Sequence, residues 1–186
     1  GGGVITGDAP GFPVSIDEPG SYVLTSNLTT AALADPTTTT AIVVSADNVT
    51  LDMNGFAISG PTVCSCSTAT SCTPTGTAGG IEVSSLAVSG LTVFNGSIAG
   101  MPDRGVQAGR NARIYQLTVS GNGNTGATAG ANSLFERVIS TCNGAAGVVL
   151  TADGTAEAIT AQSNKLSGIE VGTGAVVGSS TSNENG

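Results

Sequence analysis

The chain has 186 residues, a formal net charge of −8 at pH 7 and only five lysines and arginines, which excludes the basic surface that nucleic acids require. Aromatic residues make up 3 % of the chain and 28 residues are glycine, which disfavours an ordinary globular core and favours narrow coils with small inward side chains. A hydrophobic content of 39 % excludes a disordered chain.

The chain begins with Gly1, Gly2 and Gly3 rather than with a methionine. It shows no charged and apolar leader segment, and no apolar run of about eighteen residues that could cross a bilayer. We therefore expect a mature secreted protein, extracellular or at the cell surface, with no membrane span.

Two stretches of the first half carry the same pattern of apolar residues. With a gap of one or two residues, the following two sets align: Ile42, Val44, Val49, Leu51, Met53, Asn54, Gly55, Ile58 and Gly60 with Ile81, Val83, Leu91, Val93, Asn95, Gly96, Ile98 and Gly100. Alternating β-branched residues broken by Asn and Gly are typical of strands. The pattern predicts two stacked coils with an insertion between them.

That insertion, residues 61–80, is rich in Ser, Thr and Cys and contains Cys64, Cys66 and Cys72, while Cys142 lies in a later turn. Four cysteines allow three pairings, and the sequence does not choose among them. A segment of this composition cannot hold itself in place by burial. We expect one disulfide within the insertion and a second to Cys142, formed in an oxidising compartment.

Two other uses of the cysteines remain open. A zinc site is disfavoured because the chain has no histidine and the cysteine spacing is irregular, so no metal and no cofactor are expected. A cysteine could instead form a disulfide with a neighbouring subunit.

The second half repeats every 21 residues, as shown by Asn122, Asn143, Asn164 and Asn185. The apolar columns with the same period are Val106, Ala127, Val148 and Ile169; Ala108, Ala129, Leu150 and Val171; Ile114, Phe135, Ala156 and Val177; and Leu117, Val138, Ile159 and Ser180. Such short alternating pairs indicate coils of parallel strands stacked about 4.8 Å apart. The sequence predicts an all-β solenoid in which residues 81–186 are the regular coils of one domain, 1–186.

The four asparagines are predicted to be a structural ladder. An asparagine tolerates left-handed backbone, and its amide can bond to the amides of the coils above and below. A second column, Asn111, Asn132, Asp153 and Gly174, indicates a turn that needs left-handed backbone.

The segments GFPVSIDEPGSYVLTSNL, AIVVSADNVTLDMNGFAISGP, SGNGNTG and AQSNKLSG resemble secreted bacterial right-handed parallel β-helix proteins of the pectate-lyase-like superfamily. The likeness covers nearly the whole chain. It implies a three-faced, right-handed coil with an N-terminal capping segment, which we place in residues 1–40. It implies little about function, because that fold carries lyases, hydrolases, epimerases and non-catalytic surface proteins.

Two small clusters of charged residues are the candidate sites for polysaccharide chemistry. Glu136 and Glu157 are 21 residues apart, so their carboxylates are expected about 5 Å from each other, a spacing that suits retaining glycoside hydrolysis or a shared cation. Their column is predicted to point outward, which favours solvated surface acids. Asp103 and Arg104 form the second cluster, where an arginine could bind a uronate; a surface ion pair is the simpler interpretation.

We expect a non-catalytic extracellular structural protein. The coil around Asn185 carries no capping helix, charged strand or proline, and an uncovered coil presents unpaired backbone groups. The expected partner is a second copy of the chain, stacked head to tail into a filament or surface fibre. The alternative is a β-helix that binds or cleaves a polysaccharide at Glu136 and Glu157 or at Asp103 and Arg104.

Overall fold

The computed structural model describes residues 11–66 and 71–186, which form strands and turns and no helix. No helix able to cross a membrane occurs in that part of the chain. In chain order its strands are β1 (Val14–Ile16), β2 (Gly20–Val23), β3 (Leu28–Thr29), β4 (Ile42–Val44), β5 (Val49–Asp52), β6 (Ala57–Ser59), β7 (Val63–Ser65), β8 (Ser71–Thr73), β9 (Ile81–Val83), β10 (Thr92–Ala99), β11 (Val106–Gln107), β12 (Arg113–Ser120), β13 (Ala127–Ala129), β14 (Leu134–Thr141), β15 (Val148–Leu150), β16 (Thr155–Glu157), β17 (Thr160–Gln162), β18 (Ile169–Val171), β19 (Val176–Gly178) and β20 (Thr181–Asn183).

Two long parallel sheets contain most of these strands. Sheet A has the order β1-β4-β9-β11-β13-β15-β18. Sheet B has the order β19-β16-β14-β12-β10-β5-β2, and β3, β6, β17 and β20 pair with its members or with one another. Each strand of sheet A pairs with the strand of the coil before and after it, which is consistent with an all-β solenoid.

The register of the sheets follows the periodic columns. In sheet B, Arg113 pairs with Leu134 and Leu134 with Thr155, each 21 positions further along the chain. The alignment proposed for the first half is also present, since Ile42 pairs with Ile81 and Ile58 with Ile98. Side chains that share a column therefore stack on the same face.

The apolar columns form one continuous core, a single cluster of buried residues that extends from Val14 to Ala161. Its largest fully buried side chain is Phe135, which stacks between Ile114 and Ala156 of the neighbouring coils. Parallel strands with one face on this core alternate buried and exposed residues, and β13 and β15 show that pattern. The core lies between the sheets, and the opposite face of each sheet is open to solvent.

Three columns of left-handed residues form corners of the later coils. The predicted column has positive φ throughout, with φ of 54° at Asn111, 59° at Asn132, 46° at Asp153 and 77° at Gly174. The other positive-φ columns are Asn95, Gln116, Arg137, Ala158 and Ser179, and Gly100, Gly121, Cys142, Ser163 and Glu184. Left-handed backbone is the usual way to turn a chain sharply.

The insertion forms a separate small hairpin in which β7 and β8 pair antiparallel, a feature that the sequence did not predict. Two disulfides fix it. Cys64 bonds to Cys72 across the hairpin, and Cys66 bonds to Cys142 of the coils. The expected arrangement, one bond within the insertion and one to Cys142, is therefore present. The domain boundaries 1–40, 61–80 and 81–186 stay predictions, and residues 1–10 and 67–70 lie outside the described residues.

Candidate functional site

A groove of about 500 Å³ crosses the solvent face of sheet A. Its floor is the outward row of that sheet, in which Gln107 of β11, Thr128 of β13, Val149 of β15 and Glu170 of β18 are paired in register. These residues point outward because their neighbours in each strand are inward members of the core columns. The groove is therefore a direct product of the stacked register.

Two arginines line the groove at the level of β11. Arg104 precedes that strand and Arg110 follows it, so the two side chains stand on opposite sides of the row. Leu86, which is 61 % exposed, lies on the same side as Arg110. Two of the five basic residues of an acidic chain thus face one depression.

The backbone around Arg104 is held by the coils above and below it. The Gly80 N–H donates to the Arg104 carbonyl at 3.0 Å, and the Gly105 N–H donates to the Thr125 carbonyl at 3.2 Å. On the other side of the groove, the Gly90 N–H donates to the Arg110 carbonyl at 3.1 Å. Each arginine is therefore anchored by main-chain bonds and projects its side chain from a fixed turn.

The predicted Asp103 and Arg104 cluster is part of this groove. Arg104 Nη1 lies 3.2 Å from Asp103 Oδ2, and Asn124 Nδ2 donates to Asp103 Oδ1 at 2.7 Å. The Asp103 side chain is 16 % exposed and that of Arg104 is 32 % exposed. Asp103 thus uses both of its oxygens within the protein and orients Arg104. Arg110 has no ion pair among residues 11–66 and 71–186.

A third carboxylate, Glu82 of β9, continues the outward row one strand before Gln107. It is partly buried, and Thr40 Oγ1 donates a hydrogen bond of 2.8 Å to its Oε2. Burial raises the pKa of Glu82, and the nearby Asp103 adds to that rise, while the bond from Thr40 and the charge of Arg104 oppose it. The groove therefore begins beside a carboxyl that gains a proton more readily than an ordinary glutamate.

The predicted pair of Glu136 and Glu157 lies elsewhere, on the outer face of sheet B. The two residues are register partners in β14 and β16, as the spacing predicted. Arg137 Nη2 approaches Glu136 Oε1 to 2.7 Å, but the Arg137 side chain is 57 % exposed. Exposed ion pairs of this kind contribute little to stability. The pair has the predicted register and lies outside the groove of sheet A.

Two aromatic rings precede that pair in the same outward row. Phe94 of β10 and Tyr115 of β12 are stacked with ring centroids 4.8 Å apart and an interplanar angle of 8°. Because the rings stack along the direction in which the coils repeat, their faces cover each other and their edges point to solvent. The stack contributes to packing between coils.

The asparagine ladder is present in the interior. Asn143 Oδ1 accepts from the Asn122 backbone N–H at 3.1 Å and from Asn122 Nδ2 at 2.9 Å, and Asn164 Oδ1 receives the same two bonds from Asn143. Asn122 and Asn143 are fully buried. One part of the prediction needs correction: the ladder residues do not have positive φ, which falls instead on Gly121, Cys142, Ser163 and Glu184, each one position earlier.

The sequence prediction missed the groove residues Gln107, Thr128 and Glu170, and it missed Glu82. The first three share the second column of the 21-residue repeat. The period that predicted the inward columns could therefore also have predicted this outward row. Glu82 is 25 positions before its register partner Gln107, outside the period. Its burial could not be read from the sequence.

Comparisons with known proteins find no matching family model, no similar curated protein and no similar solved structure. Within the described ranges, no group of three or more His, Cys, Asp or Glu side chains is arranged to hold a metal ion.

Proposed function

We propose that the chain is a secreted, right-handed parallel β-helix with coils of about 21 residues and an N-terminal cap, and that it binds an acidic polysaccharide along the outer face of sheet A without cleaving it. This is the binding form of the alternative that the sequence left open, a β-helix that binds or cleaves a polysaccharide at Asp103 and Arg104 or at Glu136 and Glu157. The observation that carries the proposal is the pair of arginines, Arg104 and Arg110, on opposite sides of one groove.

The charge distribution supports an anionic ligand. On a chain of net charge −8, a random surface depression would repel anions, yet this groove has two guanidinium groups at the level of β11 against one carboxylate, Glu170, three strands away. Arginine matches carboxylates and sulfates because its planar group donates two parallel hydrogen bonds. Arg110, which is exposed and without an ion pair in the described residues, has its donors available to a ligand.

The shape of the groove supports a linear polymer. From Gln107 to Glu170 the floor crosses three strand spacings, which corresponds to about 14 Å. Thr128 provides a hydroxyl in the middle of the row, and Thr125 and Thr151 line the groove beside it. Hydroxyl and amide groups at regular spacing can bond to the repeated hydroxyls of an extended saccharide.

Binding is better supported than hydrolysis because the carboxylates are poorly placed for the two-carboxylate mechanism. Glu82 and Glu170 stand four strand spacings apart in the row, about 19 Å, whereas paired carboxylates in glycosidases are about 5–10 Å apart. Glu136 and Glu157 are register partners on neighbouring strands of sheet B, outside the groove.

The test is titration of the whole protein with an oligogalacturonate and with its neutral galactose counterpart. We expect the acidic oligomer to bind and the neutral one to bind much more weakly. Arg104→Gln and Arg110→Gln are each expected to weaken binding about tenfold, and the double variant about a hundredfold, because each removes charge-assisted hydrogen bonds.

Arg113→Gln and Arg137→Gln are the matched controls, since both arginines are exposed on β12 and β14 of sheet B. Both controls should bind like the wild type. Equal losses in all four variants would show a non-specific charge effect and would contradict the proposed site.

End-to-end assembly is a second candidate function, and one observation favours it. Val171 and Val177 occupy inward columns but are 42 % and 44 % exposed, whereas their register partners Leu150 and Ala156 are 1 % and 0 % exposed. Within the described residues β18, β19 and β20 each pair with one strand, and apolar side chains at such an edge are typical of a surface that pairs with another strand. We propose that β18, β19 and β20 pair with a second copy of the chain.

Electron microscopy and sedimentation of the non-reduced protein over a concentration series test this assembly. We expect fibres or oligomers that increase with concentration. Val176→Lys, at a position 61 % exposed in β19, should suppress them, and Val63→Lys, at a position 72 % exposed in the hairpin, should not. Monomers at every concentration would contradict this second function and leave the groove proposal unaffected.

A further inference from the structure

Glu82 is held at the margin of the groove by its neighbours. Its Oε2 accepts the 2.8 Å bond from the Thr40 hydroxyl, and that hydroxyl in turn accepts from the Gly79 N–H at 3.2 Å. Because an ionised carboxylate can only accept, the Thr40 hydroxyl is the donor in this bond. Glu82 is thus fixed in one place, one strand from Gln107 of the groove floor.

Few charged groups face Glu82. The flanking strands offer Val43 of β4 and Gln107 of β11, neither of which carries a charge. The charged neighbours are Asp103 and Arg104, both from the turn before β11. Arg104 is paired with Asp103 at 3.2 Å, and its carbonyl accepts a bond from the Gly80 N–H, two residues before Glu82, so its charge also acts on Glu82 while its side chain lines the groove.

We propose that Glu82 regulates the affinity of the groove for its anionic ligand through Arg104, an inference that rests on the proposed function. The ionised carboxylate competes with the ligand for the positive charge of Arg104 and repels the ligand. The protonated carboxyl does neither. Glu82 is a positioning and regulatory residue in this account, and the ligand-binding groups remain Arg104 and Arg110.

The direction of the effect follows from the sign of the shift. Because burial and Asp103 raise the pKa of Glu82, the residue takes up its proton at a pH above the ordinary range of a glutamate. Affinity for an anion should therefore increase as the pH falls through that value. By linkage, a bound anion must raise the pKa of Glu82 by a corresponding amount.

The probe that tests this is an oligosaccharide of sulfated dextran, because its sulfate groups stay ionised when the pH falls and only the protein titrates. Binding to the whole protein is measured from neutral pH down to the ordinary range of glutamate. We expect the wild-type affinity to rise about fivefold across that interval. Glu82→Gln should have the tight, acid-form affinity at every pH.

Thr40→Val is a second variant that changes the same step in another way. It removes the hydrogen bond that stabilises the ionised carboxylate, so it should move the affinity step to a higher pH without abolishing it. Cooperative thermal unfolding of each variant verifies that it is folded. A merely structural role for Glu82 would not abolish the step in Glu82→Gln and move it to a higher pH in Thr40→Val.

The outcomes separate the two proposals. Wild-type binding with no pH step, or the same step in Glu82→Gln, would overturn the role of Glu82 and leave the groove as a binding site. Failure of every variant and of the wild type to bind either acidic probe at any pH would overturn both.

Thermal stability is an independent readout of the protonation of Glu82. The raised pKa means that folding disfavours the ionised carboxylate, so Glu82→Gln should unfold at a higher temperature than the wild type at neutral pH. The difference should disappear when the pH falls below the pKa of Glu82 in the unfolded state.

Discussion

The outer faces of sheet A and sheet B carry similar side chains but differ in what those side chains can do. Each face has an arginine beside a carboxylate, Arg104 with Asp103 on sheet A and Arg137 with Glu136 on sheet B. On sheet A the turns before and after the strands rise on both sides of the outward row and form a groove. On sheet B the pair stands on an open surface.

The difference shows that residue identity and spacing do not define a site in a solenoid. Glu136 and Glu157 are register partners on neighbouring coils, yet they lie outside the groove. Arg104 belongs to the turn before β11, where Asp103 pairs with it and Asn124 of the next coil holds Asp103 in place. A ligand gains more from charges that are partly removed from water than from fully hydrated ones.

The largest expected effect is on stability, from the disulfide that joins the hairpin to the coils. Replacing Cys66 and Cys142 by alanine opens a loop of 76 residues and should lower the free energy of unfolding by about 4 kcal/mol. The matched pair, Cys64 and Cys72, closes only 8 residues and should cost about 2.5 kcal/mol. Denaturant unfolding measures both losses of stability. Equal losses would contradict the expected dependence on the length of the closed loop.

The next largest expected effect on the free energy of unfolding comes from the buried asparagine ladder. Asn143→Leu removes the acceptor for two buried donors of Asn122, the backbone N–H and Nδ2, and should cost about 3 kcal/mol. Asn183→Ala, on the exposed strand β20, should change stability by less than about 0.5 kcal/mol. A loss of less than about 1 kcal/mol in Asn143→Leu would mean that water replaces the ladder.

A smaller effect compares the two faces directly. Thr128→Glu places a carboxylate on the groove floor and should weaken binding of the oligogalacturonate about tenfold by repulsion. Thr155→Glu introduces the same charge at an exposed position of β16 on sheet B and should leave binding unchanged. If Thr155→Glu weakened binding as much, the two faces would not be distinguishable as sites.

The smallest effect concerns the carboxylate pair of sheet B. Glu157→Gln removes a like charge directly opposite Glu136 and should raise the free energy of unfolding by about 0.2–0.5 kcal/mol. Binding of the oligogalacturonate should not change. A variant that lost binding would move the candidate site from sheet A to sheet B.

The sequence predicted what the 21-residue period controls and missed what lies outside it. The inward columns, the ladder from Asn122 to Asn185 and the register of Glu136 with Glu157 all follow from the period. Glu82 lies outside the period because the turn between β9 and β10, residues 84–91, is longer than the corresponding turns of the later coils, and no column records it. The left-handed backbone was assigned to the ladder because asparagine favours it, but the side-chain amide is what the ladder requires, and the preceding residue makes the turn.

The sequence also failed to predict a hairpin in the insertion, again because that segment lies outside the repeat. The antiparallel hairpin of β7 and β8 belongs to the insertion, which has no partner in the repeat and whose place is fixed by Cys66 and Cys142. Pairing of four cysteines depends on the packing of that segment, so spacing alone left three possibilities.

The most direct test of the account is a map of backbone amide chemical shifts while an oligogalacturonate is added to the protein. The account predicts that the amides of Gln107, Thr128 and Glu170 shift in a saturable way, together with those of the turns that carry Arg104 and Arg110. Amides of Tyr115, Glu136 and Glu157 should not shift. Saturable shifts on sheet B, or none on sheet A at concentrations that saturate the protein, would contradict the assignment of the groove as the binding site.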